Sequence, residues 1–226
     1  MQNQVSFKAL VQLNPERAIS STGKSARGTL AGVGPDGAAF FIPALFIGDA
    51  LTKVKAHLEG GAEKPLIVEG TGSFTMDRYR RHDGERVFEA LLKVEQAKTL
   101  RSNLKTIAAP NGSLRLAKGS MVTVFDGVVV SDPRPAHEEF GQRLLLREET
   151  EGRSAYVFVR VPSDRTVTCS KGDVLSVEGR VTRLRPHGKD KPRETGILAT
   201  SVKAVAASAP EVAPQAEEVL ENELPF

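Results

Sequence analysis

The sequence predicts an all-β chain with one short helix: two tandem Greek-key barrels, a linker between them and a disordered acidic tail. Three observations lead there. Short runs rich in β-branched and aromatic residues, among them residues 38–46, 65–68, 122–130, 155–161 and 174–177, are separated by clusters of Gly, Pro, Asp or Asn. The chain also repeats itself in order. Residues 5–13 alternate into Asn14-Pro15 with Gly23 following, and residues 122–131 continue into Asp132-Pro133 with Gly141 following, both at an offset of 118. Finally, residues 207–226 hold Glu211, Glu217, Glu218, Glu221 and Glu223 and no Lys or Arg.

The elements follow from the repeat. Residues 1–102 form the first unit, with an alternating first strand and an apolar strand over 38–46. Residues 49–58 place Ala50, Leu51, Val54 and Leu58 on one helical face, and Leu66-Ile67-Val68-Glu69-Gly70 begins the next strand. Residues 103–117, with Asn103, Pro110, Asn111 and Gly112, read as a linker. Residues 118–206 form the second unit, where Leu175-Ser176-Val177-Glu178-Gly179 matches 66–70 at an offset of only 109. Where the first copy has the helix, the second has only the connection over 162–171, so the helix is expected to be lost there. About five strands per copy, with at most one helix between the third and fourth, describe an OB-fold. Residues 207–220, rich in Ala, Pro and Glu, read as disordered.

Charge separates body from tail. The whole chain carries 31 Lys+Arg and 28 Asp+Glu; without the five tail acids, the body holds 31 bases against 23 acids, a net +8. A basic body suits a polyanion and an acidic tail suits a protein surface. The single Cys169 excludes an intrachain disulfide, the start Met1-Gln2-Asn3-Gln4 has no signal-peptide pattern, and no stretch suits a membrane span. A cytoplasmic protein is expected.

The order of the first strand, Asn14-Pro15-Glu16, Gly23, the 40–46 strand, Gly48, a helix to Leu58, Val68-Glu69-Gly70 and then a basic hairpin resembles the OB domain of bacterial single-stranded DNA-binding proteins. Those proteins typically end in an acidic tip finishing Pro-Phe, and this chain ends Glu221-Asn222-Glu223-Leu224-Pro225-Phe226. Two such domains, the second degenerate, resemble the tandem form of the Deinococcus–Thermus group. The resemblance implies a nucleoid-associated homodimer that coats single-stranded DNA and recruits replication and repair proteins through Glu221, Glu223, Leu224, Pro225 and Phe226.

Binding a single strand without sequence preference needs cations along the phosphates and aromatic faces for the bases. The resemblance assigns stacking to Phe40 and Phe46, which share one face of an extended strand. The opposite parity would turn Phe41 and Leu45 outward and make Phe40 and Phe46 core. The first basic hairpin holds Arg78, Tyr79, Arg80, Arg81 and Arg86, with Phe74 near its base. In the second copy Tyr156 and Phe158 share a face, and Arg183, Arg185, Lys189, Lys191 and Arg193 occupy odd positions that an extended chain would gather on one side. With no Trp and two Tyr, affinity should lean on charge more than stacking.

Enzymatic readings find little support. Gly32-Val33-Gly34-Pro35-Asp36-Gly37 spells a dinucleotide fingerprint, but an extended run follows where a helix must open. The four histidines are scattered without ligand spacing, so neither metal nor cofactor is expected. Cys169, beside Ser170-Lys171, is the one thiol whose pKa a neighbour could depress. A replication or repair accessory whose barrels chiefly bind proteins is the alternative function.

Overall fold

The computed structural model describes residues 1–61, 64–80, 86–109, 111–133, 141–150, 153–185 and 193–205. Strands β1 (Asn3–Gln12), β2 (Ala26–Val33), β3 (Ala39–Phe46), β4 (Leu66–Arg80) and β5 (Arg86–Thr99) close on one another in the order β1-β2-β3-β5-β4-β1. Within this barrel only the β3–β5 pair is parallel. This is an OB-fold barrel. Helix α1 (Gly48–Glu59) lies between β3 and β4 in sequence, where the apolar spacing predicted it. Gly48 at φ +55 turns the chain into the helix, Asp49 pairs with Lys53 one turn on, and Gly61 at φ +86 follows its end. Its buried Ala50, Leu51 and Val54 join the barrel core, and burying a Leu or Val contributes about 1.5–3 kcal/mol each.

The expected linker is itself folded. Strands β6 (Thr106–Ala108) and β7 (Leu114–Leu116) form a hairpin, with Gly112 at φ +79 in its connection. Leu116 packs with Leu10 and Ile67, and Leu100 and Leu104 lie against them. The hairpin thereby seals an outer surface of the first barrel.

Strands β8 (Ser120–Val129), β9 (Gln142–Thr150), β10 (Arg153–Val161), β11 (Val174–Leu184) and β12 (Glu194–Ala204) close the second OB barrel as β8-β9-β10-β12-β11-β8. The topology is that of the first, again with one parallel pair, β10–β12. Where the first barrel has its helix, the second has only a 3₁₀ turn at Ser163–Arg165. The Gln142 side chain binds the Val167 backbone in both directions, at 2.9 Å each, and holds this connection over the barrel, with Val167 and Cys169 packed on the core. Backbone conformation matches across the repeat. Gly23 and Gly141, the paired landmarks of the two copies, stand at φ +66 and +67.

The two barrels share a seam. The first half of β1 pairs antiparallel with the first half of β8, from Asn3↔Phe125 to Lys8↔Ser120. In that register Val5 faces Thr123, its own equivalent at the offset of 118, so the barrels are related by a pseudo-twofold axis through this pair. Phe74 meets Phe125 edge-on across the seam, with ring centroids 5.7 Å apart. The Asn3 side chain accepts from the Phe74 N–H at 2.7 Å and donates to the Phe74 carbonyl at 3.0 Å and to the Glu148 carboxylate. Further pairs cross between barrels: Arg183 with Glu89 at 2.6 Å, and Arg180 with Asp36.

Candidate nucleic-acid interface

An OB barrel binds oligonucleotides on the outer face of its second and third strands and in the adjoining loops. In the first barrel that face is set by the parity of β3, and the parity is the reverse of the one assigned to the stacking residues. Phe40, Ile42, Ala44 and Phe46 point inward, Phe40 at 5% and Phe46 at 1% exposure. Phe41, Pro43 and Leu45 are half-buried on the outside. Phe40 and Phe46 are therefore core residues, and bases cannot stack on them. The physical reason lies on β2, where Gly32 faces Phe40 and a Cβ would stand 2.6 Å from the Phe40 ring. Gly28 likewise leaves room for the ring of Phe46. Phe74, 3% exposed and packed on Phe125, is also corrected to a core role.

The outer face of the first barrel meets the second. A shallow cavity of about 440 Å³ is lined by Thr29, Phe41 and Pro43 from the first barrel and by Thr182, Arg183 and Arg193 from the second, with Glu89 between them. Arg183 is held by Glu89 and by the Thr195 hydroxyl at 3.1 Å, while Arg193 is exposed. On the same side Arg27 pairs with Asp77 at 2.6 Å. Asp36 is partly desolvated, which works to raise its pKa. The Ala38 N–H and the Arg180 guanidinium outweigh that and hold it below the ordinary carboxylate value.

The second barrel's equivalent face carries aromatics and cations together. On β10, Val157 and Val159 point into the core and Tyr156, Phe158 and Arg160 outward; on β9, Leu144 and Leu146 point in and Arg143, Leu145 and Arg147 outward. The ladder sets Tyr156 opposite Arg147, Phe158 opposite Leu145 and Arg160 opposite Arg143. Arg143 lies over the Phe158 ring, 3.9 Å from its centroid, and pairs with Glu194 at 2.6 Å. Arg160 donates to the Arg185 carbonyl at 2.5 Å. Burial, then the charges of Arg143 and Arg185, push the Arg160 guanidinium pKa down.

Tyr156 and Phe158 thus stand where the sequence placed them, on one outward face. Arg183, Arg185 and Arg193 do not form the single row that their odd numbering suggested. Val181 and Leu184 both point inward, so the strict alternation fails there and the arginines divide: Arg183, held by Glu89, and Arg193 line the shared cavity, and Arg185 lies beside Arg160. Arg78, Tyr79, Arg80 and Arg86 lie on the β4–β5 stem, with Arg80 facing Arg86. Their side chains, all of Arg81, Lys189 and Lys191, and the tip residues Glu221, Glu223, Leu224, Pro225 and Phe226 lie outside the described residues. Phe41 stood only in the opposite-parity alternative, and Arg143, Arg147 and Arg160 were missed. The signal was present as two facing every-other patterns, Arg143-x-Leu145-x-Arg147 and Tyr156-x-Phe158-x-Arg160.

Among the described residues no group of three or more His, Cys, Asp or Glu could hold a metal, and no helix is long and apolar enough to cross a membrane. Burial, with Asp173 and Asp132 nearby, pushes the Cys169 thiol pKa up, opposite to a reactive thiolate.

The arrangement defines a tandem OB-fold protein with one aromatic-basic outer face and one face shared between barrels. No family model matches the chain, and no curated protein matches it by sequence. Among solved structures it shares its fold with a deletion mutant of the single-stranded DNA binding protein from Thermus aquaticus. The TM-score is 0.58 at 16% identity, covering 94% of this chain and 98% of that one. The fold resemblance expected from the sequence is therefore found along nearly the whole chain.

Proposed function

We propose that this protein binds and protects single-stranded DNA with little sequence preference, without turnover, and recruits replication or repair proteins through its C-terminal tip. The observation that carries the reading is the outer face of β9 and β10, where the half-buried Tyr156 and Phe158 stand among Arg143, Arg147 and Arg160 on the strands that OB-folds use for oligonucleotides. The fold shared with a single-stranded DNA binding protein supports it, as does the +8 body. The alternative, barrels that chiefly bind proteins, drew on a second copy poor in stacking platforms, and the Tyr156–Phe158 row weakens that ground. Assembly as a homodimer in the cytoplasm belongs to the same reading.

Fluorescence anisotropy of a labelled single strand, competed by unlabelled single-stranded or duplex DNA with and without Mg²⁺, tests it. Single strands should win, with steep salt dependence and no cleavage. Equal competition by duplex at moderate salt would defeat it. For the tip, Phe226→Ala should release partners from a native-host pull-down while DNA affinity stays unchanged, because the ring can fill a pocket that glutamates cannot.

A further inference from the structure

The second barrel, shorter and without the helix, looks from its sequence like the weaker half. Among the described residues, its outer face brings three arginines together. Arg143 and Arg160 are direct cross-strand neighbours, and Arg185 follows the end of β11 with its carbonyl bound to Arg160. Phe158 supports the flat side of the Arg143 guanidinium, and Glu194 fixes its edge. Three guanidinium groups brought to one corner repel one another, and an anion placed among them relieves that repulsion. Arginine presents the planar fork that suits phosphate. Around the first barrel's face Arg27 with Asp77, Arg183 with Glu89 and Arg180 with Asp36 make three separate pairs, whereas here three arginines meet at one corner.

We propose that Arg143, Arg160 and Arg185 form the main phosphate anchor for a bound strand, so that the second barrel carries most of the charge-dependent affinity. The inference rests on the single-strand reading and assigns its strongest contact. Phe158, beside the anchor, offers its remaining edge and face to the neighbouring base. The strand is held by its backbone first and by its bases second.

The test measures binding of a labelled oligothymidylate as a function of salt. Removing one arginine–phosphate pair should lower the slope of log K against log salt by about 0.7 for a single strand. The triple Arg143→Gln, Arg160→Gln, Arg185→Gln variant should therefore lose roughly 2 units of slope, a differential of roughly 16-fold in affinity between 50 and 200 mM salt. Arg185 is exposed, so Arg185→Gln alone gives a fold-neutral variant whose slope should fall by about 0.7. Arg27→Gln with Arg183→Gln should change the slope less than Arg185→Gln does. On a methylphosphonate oligonucleotide, whose backbone is uncharged, wild type and the triple variant should bind alike. Wild type that binds no oligonucleotide overturns the parent reading and this one with it. Wild type that binds while Arg185→Gln and the triple variant keep the full slope, or a larger loss from Arg27→Gln with Arg183→Gln, overturns the anchor alone.

Discussion

Truncating Phe40 and Phe41, adjacent residues of one strand, should have opposite consequences. Phe40 is 5% exposed, and its ring lies against Gly32 and Gly119, where added Cβ atoms would stand 2.6 and 3.0 Å from it. Neither glycine has a side chain with which to fill the space left by Phe40→Ala. The loss should reach about 3–5 kcal/mol, the usual range for a core Phe. At about 2–4 °C per kcal/mol for a chain of this size, the melting midpoint should fall by roughly 6–20 °C. Phe41 is half-buried on the outer face above the shared cavity, so Phe41→Ala should cost under about 1 kcal/mol of stability. If a base stacks there, its loss weakens binding by about 1–3 kcal/mol, or roughly 5- to 150-fold. Circular dichroism melts and anisotropy titrations on both variants separate the two effects. A Phe40→Ala protein that melts like wild type but binds poorly, beside a Phe41→Ala protein that unfolds early, would refute the assignment of faces.

The remaining predictions probe conformation, charge and assembly. Gly141→Ala combines φ +67 with a Cβ driven into the Val161 carbonyl, whereas Gly37→Ala at φ +77 meets nothing within 4 Å; the first should exceed and the second stay within about 1–3 kcal/mol in denaturant titrations. The Asp36–Arg180 pair should add under about 1 kcal/mol, because it is largely solvated. Since its carboxyl pKa is depressed in the fold, that contribution is complete above the ordinary 3.8 and is lost as pH falls through the lower folded value. The stability gap between wild type and Asp36→Asn should thus be constant at neutral pH and close in acid; a gap that widens in acid reverses the sign. Light scattering should return twice the 24.3 kDa chain mass at micromolar concentration, and the monomer mass would remove the homodimer.

Much of the fold was legible because the repeat was written in landmarks with backbone meaning. Gly23 and Gly141 share an offset in sequence and a left-handed conformation in space. Gly70 and Gly179 both press against a carbonyl of their barrel's last strand, that of Gln96 and of Leu198. Helix α1 followed from its apolar spacing, and its absence from the second copy from the shortened connection. The face of β3 was harder to read. Phe40, Phe41, Ile42, Leu45 and Phe46 make the strand apolar on both sides, so alternation alone assigns no direction. The direction is fixed by Gly28 and Gly32 on β2, four residues apart and opposite Ala44 and Phe40, which leave room for the two inward rings. Reading a glycine pair as a gap for a ring on the next strand would have settled the parity.

The candidate site escaped the sequence for a further reason, which is the pseudo-twofold axis. When equivalent strands pair antiparallel through their first halves, each barrel's fourth strand is carried toward the other's third: β4 packs against β10, and β11 against β3. Among the described residues, the basic stem of the second barrel's hairpin therefore belongs, in space, to the first barrel's ligand face. That is why the cavity over Phe41 is lined by Arg183 and Arg193, residues some 140 to 150 positions away in the chain. Treating each copy as a self-contained barrel left Arg183 and Arg193 on the wrong face. The first face is a composite of both halves, so the chain divided between its barrels would lose that face even if each half still closed its own five strands.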